Sequence, residues 1–291
     1  MACVLPRRTQ LSAMNAALIT MLAVAALSTA LVAGLLSQPM RTRRRRARIA
    51  AQPFPQAWRR ILRRRVPQAA RLPADLQLRL KSLIQVFLAE KPIIGCAGLE
   101  VTDEMRVTIA AQACMPLLGT ARGFYPELKQ VLVYPGAFVV DRPAPGPGGV
   151  QMDQRRALAG ESWVQGQVLL SWHDVIAGAA DPADGHNVVI HEFAHQLDQA
   201  KGFANGAPPL KDKASYRAWS LVMQREYDAL RQRAAIGEPG LLDPYGATDP
   251  AEFFAVASEV FFERGAEMAW QHPALYEQLK RYYRVDPVSW A

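Results

Sequence analysis

The chain has 291 residues, half of them hydrophobic, and a formal net charge of +8. The basic excess is confined to residues 1–72, which contain 14 arginines and no acidic residue, whereas residues 73–291 carry a net charge of −6. This distribution argues against a nucleic-acid-binding surface on the globular part, and no nucleic-acid partner is expected. The three cysteines lack paired spacing, which fits a reducing compartment.

The N-terminal region is predicted to be a membrane anchor. Residues 9–40 contain no charged side chain, and the run from Ala16 to Leu36 is mostly Ala, Leu, Val, Ile and Met. A helix of this length and composition can cross a bilayer. We therefore assign residues 1–12 to a short N-terminal segment, residues 13–36 to a transmembrane helix and residues 37–52 to a basic juxtamembrane linker.

Arginines flank the apolar run unequally, two before it and six within residues 41–48. The positive-inside rule places the heavier cluster in the cytoplasm, which predicts a single-pass inner-membrane protein with a cytoplasmic catalytic domain. A cleaved secretory signal is the alternative, but its apolar core is usually only about 7–15 residues long and the following arginines oppose translocation. A peripheral amphipathic helix is disfavoured because the run has no polar face.

Residues 53–291 are long enough for one globular domain with a substantial core. Helical spacing of apolar residues from Leu76 to Leu88 predicts one helix, and Thr102 or Asp103 is expected to cap another that runs to about Leu118. A third long helix is predicted at residues 216–235.

Short buried strands are predicted at Val131–Tyr134 and Val168–Trp172. Between them, the proline- and glycine-rich stretch at residues 142–149 predicts a loop without regular structure. Because helices outnumber these few strands, the pattern indicates an α+β fold.

The most informative motif is His191-Glu192-Phe193-Ala194-His195. Histidines four apart on a helix share one face, so both imidazoles can reach a single tetrahedral Zn²⁺. The glutamate between them can take a proton from an activated water without binding the metal. The alternative is a core helix whose two histidines bind backbone groups.

The helical context supports the zinc interpretation. Asn187 is a plausible N-cap and Gly202 a plausible stop. Asp198 comes seven residues after His191 on the same face, where its carboxylate is expected to accept an imidazole N–H and fix the tautomer.

A zinc hydrolase needs a third protein ligand. His272 is one candidate, although it lies in a polar loop before a proline, and the cysteines are poor candidates. Asp249 reads as an N-cap and is followed by Glu252 and Glu259, which share a face of a largely apolar helix. Glu252 also fits a capping box, in which it would only satisfy a backbone N–H. Spacing alone does not decide between these two roles.

The string HEFAHQLD, followed by Tyr245 and Glu252 within YGATDPAEFFAVASEVFF, resembles the Mlc titration factor A family of zinc peptidases. The catalytic domain of that family is similar to that of anthrax lethal factor. Further matching segments begin with FPQAW at Phe54 and include CAGLEVTDEMRVTIAAQACMPLL, VLVYPGAF and GESWVQGQVLLSW. The resemblance covers about four fifths of the chain.

The resemblance implies a zincin-like domain with one Zn²⁺ held by His191, His195 and Glu252. It implies that Glu192 is the general base and that Tyr245 steadies the tetrahedral oxyanion. Glu259 is then expected to support a ligand without binding the zinc itself.

The resemblance also implies aminopeptidase activity on small peptides and binding of the glucose repressor Mlc. We expect a peptide substrate to lie extended along the strand near residues 160–163, because zincin substrates add to a sheet edge. A second hypothesis is a membrane-tethered binding module that sequesters a transcription regulator, with zinc only structural. Turnover would separate the two, since a structural site is closed and keeps no water.

Overall fold

The computed structural model describes residues 7–120, 124–145, 151–158, 160–163 and 166–290. The chain divides into two units, residues 1–51 and residues 52–291. The first unit contains one helix, α1 (Arg7–Ala50). The predicted transmembrane helix and nearly all of the predicted basic linker therefore belong to one continuous helix.

Among the described residues, α1 contains the one segment long and apolar enough to cross a membrane. The segment is Thr20–Ala50, with a mean hydropathy of 1.9 over its most apolar window, none of which is buried. A signal sequence near an N-terminus has the same length and composition, so both an anchor and a signal fit this segment.

The second unit is mostly helical α+β, which confirms the predicted class. The helices described in it are α2 (Gln56–Arg65), α3 (Gln68–Arg71), α4 (Ala74–Glu90), α5 (Asp103–Cys114), α6 (Trp172–Ala180), α7 (Val188–Asp198), α8 (Lys213–Ala235), α9 (Pro250–Glu263), α10 (Gly265–Gln271) and α11 (Pro273–Tyr283). The strands are β1 (Ile93–Gly95), β2 (Gln130–Tyr134), β3 (Phe138–Pro145), β4 (Gln151–Leu158), β5 (Gly160–Trp163) and β6 (Gln167–Ser171).

Four strands form a sheet in the order β1-β2-β6-β5. β1, β2 and β6 are parallel, and β5 lies at one edge, antiparallel to β6, with Gly160 opposite Leu170. Parallel strands need a crossover connection, and α5 lies between β1 and β2 in the chain. The buried strands predicted near residues 131–134 and 168–172 are confirmed as β2 and β6, except that Trp172 starts α6.

The predicted loop at residues 142–149 is wrong over its first four residues. Residues 142–145 belong to β3, which pairs with β4 in a separate two-stranded antiparallel sheet. Proline is tolerated on edge strands because it need not donate there, and both strands of a two-stranded sheet are edges. Residues 146–150 lie outside the described part of the chain.

Local hydrogen bonds explain where the predicted helices begin and end. The hydroxyl of Thr102 accepts from the N–H of Met105 and caps α5. After Cys114 the chain tightens into a 3₁₀ turn, because Pro116 has no N–H to continue the α-helix. The helices predicted at Leu76–Leu88 and residues 216–235 are confirmed as α4 and α8.

The core is centred on α5 and α7. From Val107 to Cys114 nearly every side chain of α5 is fully buried, so this helix is surrounded by others. α5 packs against α4 and α7, while α7 also contacts α9 and β5. One face of α7 is thereby directed to the first turn of α9 and to the edge of the sheet.

Candidate metal centre

Two histidines project from the same face of α7. Asn187 caps this helix, since its side-chain oxygen accepts from the N–H of Ile190 at 3.0 Å. The predicted stop near Gly202 is reached through a 3₁₀ turn, and Gly202 has a φ of 134° that favours glycine. His191 and His195 are one turn apart, and their Nε2 atoms are 3.2 Å from each other.

Glu252 reaches the same point from the first turn of α9. Asp249 caps α9 by accepting from the N–H groups of Ala251 and Glu252, with Pro250 at the first helical position as expected. The Glu252 carboxylate is directed to α7 instead, where Oε2 lies 2.9 Å from His191 Nε2 and 3.4 Å from His195 Nε2.

These three atoms suit a tetrahedral metal ion. Ligand atoms on a Zn²⁺ with bonds of about 2.0–2.1 Å lie about 3.3 Å apart. The observed separations of 2.9, 3.2 and 3.4 Å cluster around that value. His191, His195 and Glu252 therefore form a candidate metal site, with one ligand atom from each.

The charge distribution also calls for a cation between these atoms. His191 Nδ1 lies 2.7 Å from Glu259 Oε1, and an ionised carboxylate can only accept, so Nδ1 carries the proton. The Nε2 lone pair of a neutral His191 then faces a carboxylate oxygen of Glu252 and another imidazole nitrogen. A metal ion, or a second proton on His191, removes that repulsion.

The same contacts shift the pKa values of His191 and Glu252. Burial lowers the pKa of His191, but its hydrogen bonds with Glu252 and Glu259 outweigh burial and hold the pKa well above its usual value. Burial raises the pKa of Glu252, yet its contacts with His191 and His195 prevail and lower the pKa. Glu252 is therefore ready to act as an anionic ligand near neutral pH.

Glu259 supports the site from the far side of the His191 ring. It lies two turns after Glu252 on α9 and is buried. Besides contacting His191, it accepts from the backbone N–H of Asn187, which joins it to the start of α7. The contact between Glu259 and Nδ1 of His191 fixes both the orientation of that ring and its tautomer.

The structure places Asp198 differently from the predicted contact. Its Oδ2 accepts from the backbone N–H groups of Asn205 and Gly206, each at 2.7 Å, and ties the loop after α7 to the helix. Its Oδ1 is buried without a hydrogen-bond partner among the described residues. The carboxylate at Nδ1 of His191 is that of Glu259.

Glu192 is buried under the edge strand. A Cβ added to Gly160, the first residue of β5, would lie 2.6 Å from Glu192 Oε1 and 2.7 Å from Val188 Cγ2. The strand can approach Glu192 so closely only because residue 160 has no side chain. This requirement was not predicted from the sequence, although an isolated glycine at the start of a predicted substrate strand is a signal of close backbone approach.

Tyr245 stands at the rim of the site. A 3₁₀ turn, Pro244–Ala247, carries it, and the Asp243 carboxylate caps this turn. The tyrosine is 47% exposed, and its ring centroid is 6.0 Å from that of His191.

His272, the other ligand candidate, belongs elsewhere. It is buried between α10 and α11, where Nδ1 lies 2.9 Å from Glu226 Oε2 on α8. Within the described part of the chain, His272 does not belong to the group that could hold a metal ion.

Comparison with known proteins agrees with this arrangement. A family model described as glucose-regulated metallo-peptidase M90 matches residues 40–284. An uncharacterized protein of Synechocystis sp. is 41% identical over 245 residues, 84% of this chain and 89% of that protein.

Two proteins named Mlc titration factor A are similar over 76% of this chain. The one from Salmonella arizonae is 37% identical over 229 residues and is covered to 88% of its length. The one from Salmonella gallinarum is 38% identical over 229 residues and is covered to 84%.

Proposed function

The chain belongs to the glucose-regulated metallo-peptidase M90 family, and from this premise we propose that it is a membrane-anchored, zinc-dependent peptidase. The observation that carries the proposal is the convergence of His191 Nε2, His195 Nε2 and Glu252 Oε2 within 2.9–3.4 Å of one another. Two imidazoles and one carboxylate are one of the ligand sets of catalytic zinc sites, which keep a fourth position for water or substrate.

Zinc held by these residues would polarise the scissile carbonyl and lower the pKa of the attacking water. Glu192 lies between the two histidines in sequence and is 5% exposed. From that position its carboxylate accepts the proton of the attacking water and delivers it to the leaving amine. Close approach of Gly160 limits the positions that the Glu192 side chain can take.

Tyr245 would act on the other side of the reacting carbonyl. Its phenolic O–H is a hydrogen-bond donor, and its place at the rim lets it reach the oxyanion that forms on attack. Because the ring is half-exposed, we expect substrate binding to cover it.

The peptide substrate would bind along β5. This strand lies at the edge of the four-stranded sheet, next to Glu192, so an extended peptide can add to it through backbone hydrogen bonds. Such a peptide would run past the ligand set with a carbonyl in reach of Glu192. The narrower assignment to an aminopeptidase of small peptides follows the family resemblance of the sequence.

A transcriptional repressor of the Mlc kind is the partner we propose, since two relatives that are 37–38% identical carry the name Mlc titration factor A. Co-purification of the full-length chain with an Mlc-type repressor would test this. Retention no greater than that of an unrelated repressor would refute it.

The chain would be held at the inner membrane by α1, with residues 52–291 in the cytoplasm. The support is the uncharged run at residues 9–40, which is followed by six arginines. Detergent but not high salt should release the full-length chain from membranes, and protease outside intact spheroplasts should leave the catalytic unit uncut. Digestion from outside would favour the signal-peptide alternative.

The decisive test of the function is hydrolysis of amino-acid anilides by the purified full-length protein. We expect turnover that a chelator abolishes and that added Zn²⁺ restores. If zinc is retained and no anilide or peptide is cleaved, the site is structural and the chain is a tethered binding module.

A further inference from the structure

A basic cavity of about 410 Å³ lies between α2, α3 and α4. Three cationic side chains line it, Arg59 and Arg63 from α2 and Lys81 from α4. No acidic side chain is among its lining residues. Its volume is within the usual range for small-molecule sites, about 300–1,000 Å³.

The helical spacing explains why these cations converge. Arg59 and Arg63 are one turn apart on α2, and Gln77 and Lys81 are one turn apart on α4, so each pair shares a face. Leu62 and Leu80, both buried, supply apolar wall between the two faces. The site is thus a concave surface with an apolar part and several converging donors.

Within the described part of the chain, two other arginines of α2 have an acidic partner that the cations of the cavity lack. Arg64 and Arg65 both contact Glu104 of α5. Arg59 uses its Nε to donate to the carbonyl oxygen of Phe54 at 3.2 Å. The described residues provide no hydrogen bond or ion pair for Arg63 and Lys81. Three like charges around one cavity repel one another, and a bound anion would offset that repulsion.

We propose that this cavity binds a phosphate group, supplied either by an anionic phospholipid headgroup or by a soluble phosphate. Guanidinium groups bind phosphate oxygens in a bidentate manner, and the lysine ammonium adds a point charge. The amide of Gln77 is already engaged, since it donates to the carbonyl oxygens of Ala70 and Leu72. That contact holds the end of α3 against α4 and keeps the cavity in shape.

The position of α2 in the chain favours the lipid source. Only 15 residues, 41–55, separate the end of the uncharged run at Met40 from the start of α2, and six arginines follow that run within these residues. The lipid source therefore rests on the proposed anchoring by α1. Phosphate binding itself does not depend on the anchor or on the peptidase activity.

The first test uses the full-length protein in maltoside micelles, titrated with inorganic phosphate at constant ionic strength. We expect saturable binding that Arg63→Gln or Lys81→Gln weakens at least tenfold. The matched control is Arg60→Gln, which removes the same charge from the same helix but from a residue that does not line the cavity.

The second test places the full-length chain in nanodiscs of phosphatidylcholine, alone or with phosphatidylglycerol, or with oleate at equal negative charge. Hydrogen exchange of residues 56–81 is the readout. Slower exchange with phosphatidylglycerol only, abolished by Arg63→Gln and kept by Arg60→Gln, would identify the lipid headgroup. Binding in micelles without this protection would identify a soluble phosphate.

Two results would overturn the proposal. One is the absence of both phosphate binding and phosphatidylglycerol-dependent protection. The other is an equal effect of Arg60→Gln and Arg63→Gln, or of oleate and phosphatidylglycerol, which would show diffuse attraction to negative charge instead of a site. Neither test measures peptidase activity. A chain that proves not to be a peptidase would therefore still confirm or refute phosphate binding.

Discussion

The carboxylate of Glu259 contacts His191 at Nδ1, 2.7 Å from Oε1, while the opposite nitrogen of the same ring points to the candidate metal position. Glu259 and His191 are 68 residues apart in the chain, and the packing of α9 on α7 brings them together. Through this contact, the orientation of one ligand depends on a residue that is not itself a ligand.

Glu259→Gln is accordingly expected to weaken zinc binding about 10–100-fold, the usual effect of losing such a contact. The two oxygens of Glu259 face the N–H of Asn187 and the N–H of His191, and both donors need an acceptor. The glutamine amide would place its N–H₂ group, a donor, against one of them. Asp198→Asn is the matched control, because Asp198 binds loop N–H groups and should change zinc affinity far less. Zinc affinity is measured by chelator competition, and the reverse ranking would contradict the assigned contacts.

Removal of any one proposed ligand should abolish tight zinc binding. We expect His191→Ala, His195→Ala and Glu252→Ala to lose the metal on dialysis, as measured by metal analysis. A site that keeps full zinc in Glu252→Ala and loses it in Glu259→Ala would show that the third ligand is Glu259.

Glu192→Gln separates metal binding from chemistry. The variant is nearly isosteric but cannot accept a proton, so zinc should remain while turnover falls to background. Tyr245→Phe should keep zinc and lose only part of the rate, because removing one oxyanion donor costs about 2.7–4 kcal/mol. Wild-type turnover in Glu192→Gln would refute the proposed mechanism.

Gly160→Ala should reduce turnover strongly without loss of zinc. The added Cβ would lie 2.6 Å from Glu192 Oε1, so either the base or the edge strand must move. A displacement of about 1 Å at a reacting group can cost about 100-fold in rate. Gly136→Ala is the control, since a Cβ there meets no atom within 4 Å. Equal turnover in both variants would show that the approach of β5 to Glu192 has no role in the reaction.

The raised pKa of Glu263 makes the stability of the folded protein depend on pH. Burial, helped by the nearby charges of Asp184 and Glu259, raises the pKa of Glu263 from 4.5 to about 8, although the donor Nδ2 of Asn187 opposes the shift. Between these pH values the folded state binds a proton that the unfolded state does not, so the free energy of unfolding falls as pH rises through this interval.

Glu263→Gln should remove this pH dependence. The variant should therefore gain stability relative to wild type at pH 8 and differ little at pH 5, as measured by urea denaturation at both values. An equal change at the two pH values would mean that Glu263 titrates normally in the folded protein.

Sequence alone determined the features that depend on neighbouring residues. Asn187, Thr102 and Asp249 were identifiable as caps because each hydrogen bond closes within two or three residues. The two histidines were expected on one face because helical periodicity is a local property. The extent of α4 and α8 and the α+β class followed from similar local patterns.

Only the tertiary structure decided which distant groups meet. Spacing did not decide whether Glu252 is a capping-box residue or a metal ligand. The packing of α9 against α7 brings its carboxylate to the imidazoles. Asp198 shares the helical face of His191, yet its Oδ2 accepts from N–H groups of the following loop, and Glu259 contacts the ring instead. The close approach of Gly160 to Glu192 likewise depends on where the edge strand crosses α7. Such contacts are between residues that are far apart in the chain, and no periodicity of the sequence specifies them.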